Sequence, residues 1–113
     1  MGVNAFTQLG NTIAFTATSS SASTPVQAIS NGLGSNQYRI VVPQGSNTVY
    51  LGYGSTAATA TTNTVVLTTG TSSFTIAILP GTDEVLTFLP NAYFSAITAS
   101  GSTLVFVTPG DGV

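Results

Sequence analysis

The residues that could carry chemistry in this 113-residue chain are few. Beyond the tyrosines, the ionisable side chains are Arg39, Asp83, Glu84 and Asp111, and the chain contains no His, Lys or Cys. General acid–base catalysis most often uses His, and a Ser or Thr nucleophile needs an activating base. Asp83 and Glu84 are adjacent, so in an extended segment they point to opposite faces and do not form a two-carboxylate site. We therefore predict that the chain is not an enzyme.

Cofactor and metal sites have equally little support. The absence of His and Cys excludes the ligands of most transition-metal sites. Carboxylates and carbonyls around residues 82–84 or 109–111 leave a calcium site open, but no EF-hand spacing accompanies them. Gly32 and Gly34 form a lone Gly-x-Gly without the third glycine of a dinucleotide-binding loop. We predict no metal and no cofactor.

Arg39 is the sole cation among the side chains. A buried or half-buried guanidinium needs a carboxylate partner, because an unpaired charge inside a protein is costly. Glu84 and Asp83 are the candidate partners, and we predict a structural ion pair between Arg39 and Glu84. The alternative is an exposed Arg39 whose stem lies along the surface, where a pair contributes little.

Aromatic residues offer one binding hypothesis. Tyr50 and Tyr53, with Tyr93, could form a platform on which a glycan stacks if their rings are exposed. Packing in the core or in an interface is the more frequent fate of aromatic residues at strand positions. The sequence leaves both interpretations open.

Charge and hydropathy limit the partners. The net charge is −2 and charged residues make up 4% of the chain, against about a quarter in ordinary globular proteins. There is no basic field for nucleic acid, whose binding depends on Lys and Arg. No apolar run approaches the ~20 residues of a membrane helix, and the N-terminal residues lack the basic and apolar regions of a secretory signal. We expect neither nucleic acid nor a membrane as partner, and no export signal.

Side chains alternate between apolar and polar through much of the chain, which is typical of strands. Predicted strands cover Thr12–Thr18, Val26–Ser30, Gln37–Val42, Thr48–Tyr53, Thr64–Thr68 and a meander of short strands from Phe74 to Thr108. We predict that Thr48–Tyr53 is the hairpin partner of Gln37–Val42, and that Phe74 shares a strand face with Ile76. No helix of ordinary length is visible, and Ser55–Asn63 is a low-complexity stretch.

These elements predict a single all-β domain over residues 1–113. About eight strands with turns at regular spacing indicate one antiparallel β-sandwich, jelly-roll-like, with an immunoglobulin-like sandwich as the alternative. Residues 1–11 are irregular and form a possible N-terminal arm, with Phe6 and Leu9 as interface anchors. Soluble proteins usually protect sheet edges with Lys, inward-pointing charges or Pro. Because this chain has so few charges, we favour a surface used in assembly over a solitary domain kept soluble by Ser and Thr hydroxyls.

Several short segments resemble one group of proteins. They are Arg39–Val41, Val49–Gly54, Leu79–Gly81, Glu84–Val85, Ala96–Gly101 and Val107–Gly112. Together they are similar, over about residues 25–112, to small proteins encoded among the structural genes of tailed bacteriophages. The resemblance is to capsid decoration, or cement, proteins, which are small β-sandwiches on the outside of the head shell.

The resemblance implies a function, partners and a location. It implies binding to the outer capsid shell, bridging of neighbouring major capsid protein subunits, and a virion location after synthesis in the host cytoplasm. It implies no catalytic residues. From the sparse charge and the assembly interpretation we also expect self-association as a dimer or trimer. The alternatives are a head–tail connector, a tail or fibre-associated component of the virion, and a glycan-binding surface module.

Overall fold

The computed structural model describes residues 6–30, 36–44 and 47–112. Strands account for 47% of the described residues and helix for 6%, which confirms the predicted all-β fold. In chain order the elements are β1 (Thr7–Gln8), β2 (Ile13–Thr18), β3 (Val26–Gln27), β4 (Gln37–Val41), β5 (Val49–Gly54), α1 (Ala57–Thr62), β6 (Ile76–Ile78), β7 (Asp83–Thr87), β8 (Tyr93–Thr98) and β9 (Ser102–Asp111).

The strands pair in a nested order. β2 pairs with β9, β3 with β8, β4 with β7 and β5 with β6, all antiparallel. Two further antiparallel ladders, β4 with β9 and β5 with β8, complete the halves β2-β9-β4-β7 and β3-β8-β5-β6. This is the order of a long hairpin rolled up on itself, the jelly roll. A parallel bridge between Thr18 and Ile97 joins the halves into one mixed sheet of nine strands, curled into a half-barrel.

Three local predictions about the strands were wrong. β5 pairs with β6 and β8, so it is not the hairpin partner of β4. Within the described residues, no two of β6, β7, β8 and β9 pair with each other, so the predicted meander is four strands distributed over both halves. Residues 64–68 form no strand. Alternation identifies a segment that fits a half-buried sheet, but it does not specify which strand lies beside it.

Both halves contribute to one hydrophobic core. Its largest fully buried apolar side chains are Tyr38, Phe94, Ile40, Leu51, Val42, Val49, Val105 and Val107. The rings of Tyr38 on β4 and Phe94 on β8, one from each half, meet edge to face with centroids 5.0 Å apart. Burying a large apolar side chain contributes roughly 1.5–3 kcal/mol and an aromatic pair about 0.5–1.5 kcal/mol more, so this contact helps to hold the two halves together.

A short helix, α1, occupies most of the low-complexity stretch Ser55–Asn63. Thr56 caps α1, because its Oγ1 accepts a hydrogen bond from the Thr59 amide. The helix packs against β5 at Gly52 and Gly54, where an added Cβ would overlap Thr64 and Thr59 respectively. The two glycines therefore mark a close backbone approach, as glycines within a strand often do. Propensity alone favours a helix weakly in a Thr-rich segment, so packing and the cap decide it.

Candidate binding surfaces

The ion pair forms between Arg39 and Asp83. The guanidinium donates from Nε to Asp83 Oδ1 at 2.8 Å and from Nη2 to Oδ2 at 2.7 Å. Both side chains are about half exposed, at 49% and 54%. This bidentate bond to Arg39 lowers the pKa of Asp83, and Asp83 raises the pKa of Arg39. An exposed pair of this kind contributes little to stability.

The predicted pairing of Arg39 with Glu84 was wrong, and the register explains why. In the β4–β7 ladder Arg39 lies opposite Val85, whereas Glu84 lies opposite Ile40. Residues directly opposite each other share a face of the sheet, and faces alternate along each strand. Glu84 is therefore on the face opposite to Arg39, while Asp83 is a diagonal neighbour on the same face.

The two outermost strands of the sheet differ in charge. Strand β7 carries Asp83 and Glu84, and Arg39 lies beside it on β4. Strand β6, at the other end of the strand order, belongs to a stretch from residue 64 to residue 82 that contains no charged residue. Edge strands expose unpaired backbone groups and are normally protected by charge. Only the β7 edge has that protection.

Exposed apolar side chains flank β6. Phe74 is 65% exposed and Leu79 is 64% exposed, at the two ends of the strand. We call residues 74–79 the β6 edge. Phe74 was predicted to share a strand face with Ile76, but the strand begins at Ile76 and the Phe74 ring lies on the surface. A charge-free segment rich in Phe, Ile and Leu is the sequence signal that could have indicated this surface.

A shallow depression adjoins the β6 edge. It has a volume of about 260 Å³ and is lined by Tyr53, Ser73, Phe74, Thr75 and Ile76. The Tyr53 and Phe74 ring centroids are 5.5 Å apart. On its other side Tyr53 packs against Phe88, with centroids 4.2 Å apart. The depression thus combines one exposed ring, one half-buried ring and two hydroxyl-bearing side chains.

The structure does not bring Tyr50 and Tyr53 together. Tyr53 lies on the face of β5 that packs against the core, whereas Tyr50 shares the other face with the two glycines beneath α1. A stacking platform that contains both rings is therefore incompatible with the strand. Of the two, Tyr53 remains a candidate contact, with Phe74 as its neighbour.

Phe6 and Leu9 lie along their own chain. β1 pairs with the end of β9, the Leu9 amide donates to the Pro109 carbonyl at 3.0 Å, and Phe6 packs over Gly110. The part of the predicted arm from residue 6 onward is thus an element of the sheet, and residues 1–5 lie outside the described residues. A role for Phe6 and Leu9 in an interface stays a prediction.

The described residues contain no group of three or more metal-ligating side chains. In the same residues, no helix is long and apolar enough to cross a membrane. No family model, curated protein or solved structure matches the chain.

Proposed function

We propose that this chain is a bacteriophage capsid decoration protein that binds the outer shell and bridges major capsid protein subunits. The observation that supports it most is the nearly uncharged surface. The chain has one basic and three acidic side chains, and Arg39 and Asp83 neutralise each other. Glu84 and Asp111 are then the remaining charged side chains on an accessible surface of 5870 Å². Together with the segment resemblance given above, this favours a protein whose surface is used in contacts.

The physical reason lies in desolvation. Moving an ion out of water costs several kcal/mol even inside a protein, so every charge on a contact surface opposes association unless it is well paired. Ser and Thr hydroxyls can hydrogen-bond to a neighbour without that penalty. A surface covered with such groups can bury moderate area against several subunits at once.

The fold is compatible with this role. Jelly rolls occur in viral capsid proteins and also in lectins and cupins, so the architecture supports the proposal without assigning the function. On a symmetric lattice, many weak contacts act together and give avidity without any single tight site. The proposed mechanism is mechanical: each bound copy clamps adjacent capsid subunits against internal pressure.

Reconstitution provides the test. Capsids of the virus that encodes this chain, prepared without it, are mixed with the purified protein, washed and heated while DNA release is followed. We expect bound protein to raise the temperature of DNA release. Because few charges take part, binding should change little between low and high salt. Capsids that release DNA at the same temperature with and without saturating protein would contradict the proposal.

One observation supports a second candidate, a glycan-binding surface module. The depression beside Tyr53 and Phe74 offers an exposed ring with the hydroxyls of Ser73 and Thr75 next to it. Sugars bind proteins through such stacking and hydroxyl contacts. Glycan-array binding that is lost in Phe74→Ala but retained in Tyr50→Ala would favour this candidate.

A further inference from the structure

The β6 edge is an open end of the hydrogen-bonded sheet. β6 pairs with β5 along one side, and within the described residues no strand pairs with its other side. An open edge of this kind is a template for pairing with another strand. The question is which strand fits it.

The composition of the β6 edge favours a second copy of this chain. An antiparallel pair of identical strands about a two-fold axis is self-complementary, so it closes as a dimer and does not extend into a fibre. The β6 edge contains no charge, so two copies meet without repulsion. Two β7 edges would instead bring Asp83 and Glu84 of both copies together.

A register centred on Ala77 covers the exposed apolar residues. It places Ala77 opposite Ala77 of the second copy and Ile76 opposite Ile78 of the second copy. Along a strand, the backbone N–H and C=O groups of alternate residues point to opposite sides, so either Ala77 or both Ile76 and Ile78 point away from β5. In this register, the residues whose backbone groups point outward lie opposite each other in both cases. Continued beyond the strand, the same register places Phe74 of each copy opposite Pro80 of the other and Leu79 opposite Thr75. The two highly exposed apolar residues of the edge, Phe74 and Leu79, therefore both lie at the interface.

We propose that two copies of this chain associate through antiparallel pairing of their β6 edges, centred on Ala77. The inference specifies a geometry for the self-association expected from the sequence, and the contact itself does not require a capsid. It joins two half-barrels into one continuous sheet and buries the ring of Phe74, which is otherwise left in water.

The first experiment places a charge at the centre of the interface. Ala77 is exposed, so Lys or Glu can replace it without disturbing the core. We expect the wild-type mass in solution to approach twice 11.4 kDa as concentration rises. Ala77→Lys and Ala77→Glu should each weaken the dimer by about fivefold or more, because like charges then lie directly opposite. A one-to-one mixture of the two variants should restore dimers, and Thr87→Lys on the β7 edge is the matched control that should behave as wild type.

The second experiment uses the lack of native cysteine. In the proposed register, Cys residues introduced by Ala77→Cys face each other across the two-fold axis, within the Cα separation of roughly 4.4–6.8 Å that a disulfide spans. Mild oxidation should therefore give a covalent dimer from Ala77→Cys and none from Thr87→Cys. This measurement remains decisive if a charge at position 77 disturbs folding.

The results separate this inference from the proposed function. A monomeric wild type at all concentrations, or equal crosslinking of Ala77→Cys and Thr87→Cys, would overturn the β6 pairing even if the protein binds capsids. Conversely, a dimer that forms in solution but does not bind the particle would support the pairing and contradict the capsid role.

Discussion

Removal of one buried hydroxyl should destabilise this fold measurably. The Tyr38 hydroxyl donates a hydrogen bond to the Leu89 carbonyl at 2.6 Å and accepts one from the Ala92 amide at 3.1 Å. Tyr38 and Ala92 are both fully buried. The hydroxyl therefore ties β4 to the turn that precedes β8, across the two halves of the jelly roll.

The substitution Tyr38→Phe keeps the ring and its contact with Phe94 but leaves the Ala92 N–H without a partner. A typical hydrogen bond contributes about 1 kcal/mol net, and an orphaned buried donor costs about 1–3 kcal/mol. We expect the free energy of unfolding to fall by about 2–3 kcal/mol, a large part of the roughly 5–15 kcal/mol of an ordinary domain. At roughly 4 °C per kcal/mol for this size, the Tm should fall by roughly 8–12 °C.

Urea and thermal unfolding, followed by circular dichroism, measure this change. Tyr50→Phe is the matched control, because the Tyr50 hydroxyl makes no hydrogen bond to a described residue; it should stay within about 0.5 kcal/mol of wild type. Amide exchange at Ala92 should accelerate only in Tyr38→Phe. If the two variants were equally stable, the bridging role of the Tyr38 hydroxyl would be refuted.

The same hydroxyl predicts a dependence on alkaline pH. Burial raises the pKa of Tyr38 above its ordinary value, and hydrogen bonding by the backbone of Ala92 and Asn91 opposes only part of the effect. The folded state therefore keeps this proton longer than the unfolded state, and stability is lost as the pH rises above the unfolded pKa of about 10. The difference in the free energy of unfolding between wild type and Tyr38→Phe should accordingly become smaller as the pH rises above about 10.

Four further substitutions test other parts of the fold. Gly52→Ala should lower the free energy of unfolding, measured in urea, by about 1–3 kcal/mol, because the new Cβ overlaps Thr64. Gly70→Ala is the comparison: Gly70 has open space around it but a φ of +84°, so the loss should be only about 1 kcal/mol. Thr56→Ala removes the cap of α1 and should lower stability by about 1 kcal/mol, with faster amide exchange confined to the helix. Arg39→Ala should cost about 0.5 kcal/mol at neutral pH. Because Arg39 lowers the pKa of Asp83, the stabilisation by the ion pair is present above pH ~4 and is lost as the pH falls through the lowered pKa. Wild type and Arg39→Ala should therefore become equally stable in acid. A stability difference that does not change with pH would argue against the ion pair.

Local alternation predicted most strands, because a half-buried strand leaves a period of two in the sequence. Residues Gln37–Val41, for example, carry buried Tyr38 and Ile40 between more exposed neighbours. The strand count also indicated a jelly roll. The pairing was not predictable in the same way, because β4 finds its neighbours β7 and β9 more than forty residues along the chain, and turn signals report only on local connections.

Less of the candidate site than of the fold could be predicted from the sequence. The choice between Asp83 and Glu84 as the partner of Arg39 depends on the β4–β7 register, which the sequence did not give. The exposure of Phe74 depends on where β6 begins, and strand ends are set by tertiary contacts such as the bond from Thr75 Oγ1 to the Asn63 carbonyl. The uneven distribution of charge between the two sheet edges became visible only once the strand order was known.

The proposed placement on the capsid shell is tested most directly by cryo-electron microscopy of the virion that is proposed to carry this chain. We predict β-sandwich density at regular lattice positions on the outer surface of the head, in contact with adjacent major capsid protein subunits, and its loss from particles that lack the chain. Density for this protein only on the tail, or a shell identical with and without it, would contradict the proposal.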